Sequence, residues 1–212
     1  LMIWVGDGLT PWLAEPLNTL APQAVKISLL DAPGWDKLDV RETGEDEDGH
    51  DHSHDHGHDD VDPHAWLDPV VARAWVTVIT AALSTADPEN APIYAANGDT
   101  AKVELTALEQ QLANELTGLA NQAYVLPHDG YQYFEARFGL TAQAAIAGID
   151  ARTPGPAQIA TLRDQMTDNG IVCVFSDAEI GDRWATLVTE GTDAKTAVID
   201  GVGAGLDTVP AH

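Results

Sequence analysis

Between Glu42 and Asp62 the chain carries ten carboxylates and no lysine or arginine, with His50, His52, His54, His56 and His58 at alternate positions. No apolar residue interrupts residues 44–60, so nothing there can bury surface against the conformational entropy of ordering. The sequence predicts a disordered, solvated His/Asp-rich loop over 42–62, and the fold must be built from what lies on either side. Alternating imidazole and carboxylate is also a metal-seeking composition. Expression tags are His-rich as well, but these histidines alternate with Asp, Ser and Gly inside the chain.

The loop accounts for only part of the charge. Ten Lys+Arg against 34 Asp+Glu give −24, and removing the ten loop acids still leaves −14. That balance argues against nucleic acid or an anionic membrane as partner. No apolar stretch reads as long enough to span a bilayer, and no signal-peptide pattern opens the chain. The single cysteine, Cys173, excludes an internal disulfide framework and a multi-cysteine zinc site.

Outside the loop the grammar is that of α/β layers. Residues 1–6 form an apolar run suited to a strand buried on both faces. Thr10 is placed to cap a helix over 10–20 with Pro11 at its first position, and 25–30 reads as a second strand. Asp68-Pro69 opens a helix to about Ala86, with Val70, Ala74, Val78, Ala81 and Ala82 on one face. From Pro88 to about Leu119 apolar residues recur at helical spacing, weakened at Gly98. The second half reads as strands at 123–126, 141–146, 171–175 and 196–199. Helices fall at 131–138, 156–169 (with Gly170 as its C-cap) and 181–191. The expected architecture is two α/β lobes with mainly parallel sheets joined by one long rigid helix. The N-terminal lobe takes 1–87, the connecting helix 88–119 and the C-terminal lobe 120–212. Binding sites in such folds lie at the carboxyl ends of strands, facing a cleft.

Three residues fall at such ends. His64 lies in Asp62-Pro63-His64-Ala65-Trp66-Leu67-Asp68-Pro69, directly before a helix, and His128 in Leu126-Pro127-His128-Asp129-Gly130-Tyr131, where a strand passes into a helix. Asp200 closes the last strand. A lone histidine beside a proline more often serves as a surface or capping residue, and Asp-Gly after a strand is usually a turn. The coincidence of all three beside a metal-seeking loop favours metal ligation. Enzymatic signatures are missing: there is no Gly-x-Ser-x-Gly, no phosphate-binding glycine loop and no His-Glu-x-x-His. Cys173, in an apolar strand with no adjacent cation, reads as an inert core thiol.

Taken together, these motifs resemble a known family. The shared residues are Val5-Gly6 after an apolar strand, Asp-Pro-His-x-Trp-Leu-Asp-Pro at 62–69 and His-Asp-x-Tyr-x-Tyr-Phe-x-x-x-Phe-Gly-Leu at 128–140. Pro154 with Leu162, Cys-Val-Phe-x-Asp at 173–177 and Ile-Asp-Gly-x-Gly at 199–203 follow in the same order. The chain resembles, over nearly its whole length, the periplasmic zinc-binding proteins of bacterial zinc ABC importers (the ZnuA type, within the zinc and manganese solute-binding proteins). An acidic His-rich loop before the Asp-Pro-His motif is a hallmark of the zinc-specific branch.

The resemblance implies zinc held between two lobes by His64 and His128, with Asp200 matching a carboxylate that ligates in some members and yields to water in others. Asp177 matches an acidic position beside the ligands rather than among them. His50, His52, His54, His56 and His58 would form a weaker secondary metal site. The implied function is capture of periplasmic zinc and delivery to an ABC permease in the inner membrane, by a monomer that is not an enzyme. A periplasmic zinc chaperone is a further expected partner. A manganese-binding or adhesion-type member of the same cluster is the alternative, and a zinc-dependent hydrolase a more distant one. The family pattern also places a further ligating histidine before the Val-Gly strand, a signal peptide upstream, and a terminal helix that often supplies a cysteine for the one at 173. The resemblance therefore implies that this chain is part of a longer protein.

Overall fold

The computed structural model describes residues 1–41, 61–152, 154–178 and 180–206. The five alternating histidines, and the loop expected over 42–62 as far as residue 60, lie outside these residues. Its last two positions belong to the fold. Val61 bridges Asp39 in antiparallel fashion, Asp62 N–H donates to Leu38 C=O at 2.9 Å, and Asp62 is 1% exposed. The described chain forms two compact units, Leu1–Thr117 and Gly118–His212.

In the first unit, β1 (Met2–Trp4) pairs in parallel with β2 (Lys26–Ser28), Ile3 opposite Ile27. These strands are half-buried rather than buried on both faces, because each has a single hydrogen-bonded neighbour among the described residues. Between them the expected helix begins as a 3-10 turn, Pro11–Leu13, and becomes α1 only at Ala14–Leu20. Thr10 sits at the cap position, but its hydroxyl donates back to Gly6 C=O at 3.4 Å instead of accepting from the turn.

Helix α2 (Pro69–Ala86) starts where the sequence places it. Asp68 accepts from Val70 N–H at 2.8 Å, and Pro69 fills the first helical position, where no donor is needed. Its buried face is a step away from the one expected: Val71 and Trp75 are buried, whereas Ala81 is exposed. The ring of Trp35 meets Trp75 edge-on at 5.8 Å, which draws the helix round to that side. Contrary to the sequence reading, α2 is long and apolar enough, by length and composition alone, to cross a membrane. Its small Ala, Thr and Val residues carry one charge, Arg73. That guanidinium pairs with Glu109 at 2.6 Å, and the helix packs on its neighbour.

The neighbour is α3 (Ala91–Glu115), entered through a 3-10 turn at Pro88–Asn90 and ending four residues before the expected Leu119. Asp87 organises the entry by accepting from Asn90 Nδ2 at 2.7 Å and from the Tyr94 hydroxyl at 2.9 Å. Those bonds hold its carboxyl below the usual carboxylate range. Along α3 the half-buried and buried positions Ala91, Tyr94, Gly98, Ala101, Leu105, Leu112 and Leu116 follow the three-four spacing of a packed stripe, while Ile93, Val103 and Leu108 are exposed. Gly98 is the only fully buried residue of the helix. A β-carbon there would stand 2.4 Å from Thr80 Oγ1 and 3.3 Å from Thr80 Cβ and Cγ2. The glycine that looks like a weak point in the helix is where two backbones come close.

The second unit is a four-stranded parallel sheet in the order β4-β3-β5-β6. Its strands are β3 (Tyr124–His128), β4 (Ala144–Ala147), β5 (Cys173–Ser176) and β6 (Lys195–Val198). Helices α4 (Gln132–Phe138), α5 (Pro156–Asp168) and α6 (Asp182–Thr189) make the crossovers. The core joins Val125, Ile146 and Val174 of the sheet to Ile159, Leu162 and Met166 of α5 and Ala185 and Val188 of α6. Helix α5 stops as its sequence predicts. Gly170 takes φ +61, and Ile171 N–H returns to Met166 C=O at 3.4 Å, closing a Schellman turn. Cys173 opens β5 half-buried rather than within the core, because Val174 takes the inward position of the pleat. Burial still pushes its thiol up, away from the reactive thiolate.

Gly98→Ala gains about 1 kcal/mol of helix propensity but overpacks the contact with Thr80, at about 1–3 kcal/mol. Thermal unfolding of this variant is expected to show a net loss of stability, which Thr80→Ala in the same chain restores.

Candidate metal centre

His64 is placed by a short, heavily bonded corner. The strand-like bridge at Val61 delivers Asp62 into the interior, and Asp62 Oδ1 accepts from both His64 N–H at 2.9 Å and His64 Nδ1 at 2.8 Å. Pro63 between them removes a donor and fixes φ. The 3-10 turn Ala65–Leu67 and the capped start of α2 follow at once. The ring is 6% exposed and tilted against Trp66 at 5.4 Å between centroids.

His128 ends β3, the central strand beside β4 and β5. Its Nδ1 lies 2.9 Å from Asp177 Oδ2, just past the end of β5. Asp177 is itself held, for its Oδ1 accepts from Ile180 N–H at 2.7 Å and its C=O from Gly181 N–H at 2.8 Å. The imidazole is 5% exposed and tilted against the buried Tyr131 at 5.6 Å.

The two histidines share one chemistry. A carboxylate oxygen can only accept, so Nδ1 is the donor in each pair and carries a proton. In a neutral ring the lone pair is then on Nε2, and a carboxylate on the other nitrogen raises the basicity of that lone pair. Asp177 lies against His128 through the Nδ1 bond. The sequence reading gives Asp62 as the end of the loop and the first residue of the Asp-Pro-His motif, without a role of its own. The signal was present in the Asp-Pro-His spacing, since an Asp side chain readily bonds the backbone two residues on.

Asp200 is differently engaged. It follows β6, and its two carboxylate oxygens accept from Ala204 N–H and Gly205 N–H, each at 2.8 Å. The backbone next to it lies against the site: a β-carbon on Gly201 would come 3.1 Å from the Tyr131 hydroxyl oxygen. The structure thus gathers His128, Asp177, Tyr131 and Gly201 in the second unit, with the Asp200 carboxylate bonded to its own loop. Among the described residues no three His, Cys, Asp or Glu side chains form a metal-holding group.

Each unit has parallel strands and sets a buried imidazole with its Nδ1 on a buried carboxylate, the arrangement of a binding-protein fold built around histidine. The model of the family "Zinc-uptake complex component A periplasmic" (ZnuA) matches residues 1–210. The chain belongs to that family. The high-affinity zinc uptake system protein ZnuA of Paracoccus denitrificans is 36% identical over 97% of this chain and 69% of its own length. That of Brucella abortus is 33% identical over 99% and 71%. A crystal structure of ZnuA matches the fold with a TM-score of 0.77 at 23% identity, covering 96% of this chain and 72% of that one. The laminin-binding protein of Streptococcus agalactiae, described as having adhesin and metal-transporting activity, shares the fold at 21% identity and a TM-score of 0.75, over 98% of this chain and 72% of its own.

The amide bonds from Gly205 and Ala204 hold the Asp200 carboxyl below its usual range. A depressed pKa means that the interaction is present at neutral pH and is lost as pH falls through the folded value, beneath the ordinary carboxylate range. The Ala204 and Gly205 amide resonances are expected to titrate together there, and to lose the transition in Asp200→Asn.

Proposed function

We propose that this chain captures zinc in the periplasm and hands it to the permease of an ABC importer, with His64 and His128 as ligands of one tightly bound ion. The observation that carries this reading is the matched pair of buried histidines, each bonded through Nδ1 to a buried carboxylate. Imidazole nitrogen suits zinc, whereas manganese sites are richer in oxygen; this favours zinc over the manganese or adhesion-type alternative. A Zn–N bond of about 2.0–2.1 Å in tetrahedral geometry leaves positions for further ligands. Asp200 would fill one of these by turning a remaining carboxylate lone pair to the ion while Ala204 and Gly205 hold it, and water would fill it otherwise. We read the chain as a carrier rather than an enzyme. The described site offers ligands and their orienting carboxylates, without the nucleophile, base and orienter that a hydrolase would set in one place.

The five histidines of 50–58 are proposed as a secondary, weaker zinc site that raises the local concentration of the ion. Zinc would bind there through imidazoles and carboxylates. Transfer from this reservoir to the tight site, and then to the permease, follows the order of affinities. A periplasmic zinc chaperone would act upstream of both, and the carrier is proposed to work as a monomer.

Calorimetric titration of the metal-stripped protein is expected to show one tight zinc event over weaker ones. His64→Ala and His128→Ala each abolish the tight event and spare the weak ones. Deletion of residues 43–59 keeps the tight event and lowers the total zinc bound. Preference for manganese, or a tight event indifferent to both histidine substitutions, would overturn the assignment.

A further inference from the structure

The two carboxylates that hold the histidines are not equivalent. Asp177 has both oxygens engaged, Oδ2 by His128 Nδ1 and Oδ1 by Ile180 N–H. Asp62 has Oδ1 engaged twice by His64, while its Oδ2 is buried with no hydrogen-bond partner among the described residues. At 1% exposure, this is a carboxylate withdrawn from water with half of its accepting capacity unmet. Such a group destabilises the fold unless a positive charge compensates it. Among the described residues of the first unit no lysine or arginine forms an ion pair with it; Arg73 is taken by Glu109 and Lys102 by Asp99.

We propose that Asp62 is a positioning residue for zinc capture, and that its incompletely satisfied buried charge favours a cation on the far side of the His64 ring. The proposal rests on His64 being a zinc ligand and adds what drives the ion to it. The Asp62 carboxylate fixes the tautomer through Nδ1. The imidazole transmits its negative charge toward Nε2, and the arriving divalent ion supplies compensation that the described residues around Asp62 do not. Stability in the empty state and affinity for zinc then pull in opposite directions at this one position. A purely structural aspartate, needed only to shape the corner before α2, would move both the same way.

The test is Asp62→Asn, which keeps an accepting oxygen for His64 and removes the charge. Three readouts apply to the metal-free and zinc-titrated protein. Nitrogen-15 NMR of metal-free wild type at mildly alkaline pH is expected to show His64 protonated on Nδ1, and the variant to keep that tautomer. Thermal unfolding of the metal-free variant should show a midpoint unchanged or raised. Zinc affinity, measured by competition with a chelator, should fall by about 10–100-fold, the usual cost of losing such a partner. A midpoint and an affinity that fall together would make Asp62 structural and overturn the proposal, as would an unchanged affinity. If Asp62→Asn does not fold, the wild-type spectrum still decides, because an Nε2-protonated His64 is incompatible with the proposed role. Failure of the zinc assignment itself is read separately, from a tight event that survives His64→Ala.

Discussion

A neutral imidazole has one lone pair on its ring nitrogens in the plane of the ring, and whatever binds the other nitrogen decides where that lone pair points. In this protein the decision is made twice by a carboxylate, 2.8 Å from His64 and 2.9 Å from His128. Much of the surrounding architecture serves to bring those acids into place. The first is delivered by a bridge and a backbone bond at the edge of a half-buried strand pair. The second stands at the end of β5, and adjacency of β5 to β3 in a parallel sheet sets it beside His128. The orientation of each imidazole is thus inherited from strand order in one unit and from a tight corner in the other.

The two units also differ in what makes them rigid. The second is a sheet with a continuous apolar core, and its register alone fixes the end of β3. The first has only two paired strands among the described residues, so its helices carry more of the load. There α2 gains its footing from a capped N-terminus, from Trp75 against Trp35, and from the close approach that Gly98 allows to Thr80. The residue after which α2 begins is four positions from His64. Any slackness between α2 and α3 would therefore be felt at the imidazole.

Much of this was legible in the sequence because several signals agreed at each point. Asp68-Pro69 combines a cap with a pre-set φ, and Gly170 supplies the left-handed residue that ends α5, so both boundaries were readable. The parallel layering followed from the alternation of short apolar runs with helical spacing, and His64 and His128 from their places at element ends. What escaped were features decided by tertiary contact. Thr10 turned its hydroxyl back to Gly6, the buried face of α2 was set by a tryptophan from outside the helix, and Asp200 took backbone amides from a loop after it. Spacing alone could not say that Asp62 belongs to the interior, because the composition on its N-terminal side is that of solvated chain.

The bridge between Asp39 and Val61, with the bond from Asp62 N–H to Leu38 C=O, has an evolutionary consequence. It ties the chain together at the two ends of the acidic segment, so the fold closes without reference to how many residues lie between. The entropic cost of a closed excursion grows only with the logarithm of its length. Residues can then be added or removed there while the corner that holds His64 stays the same.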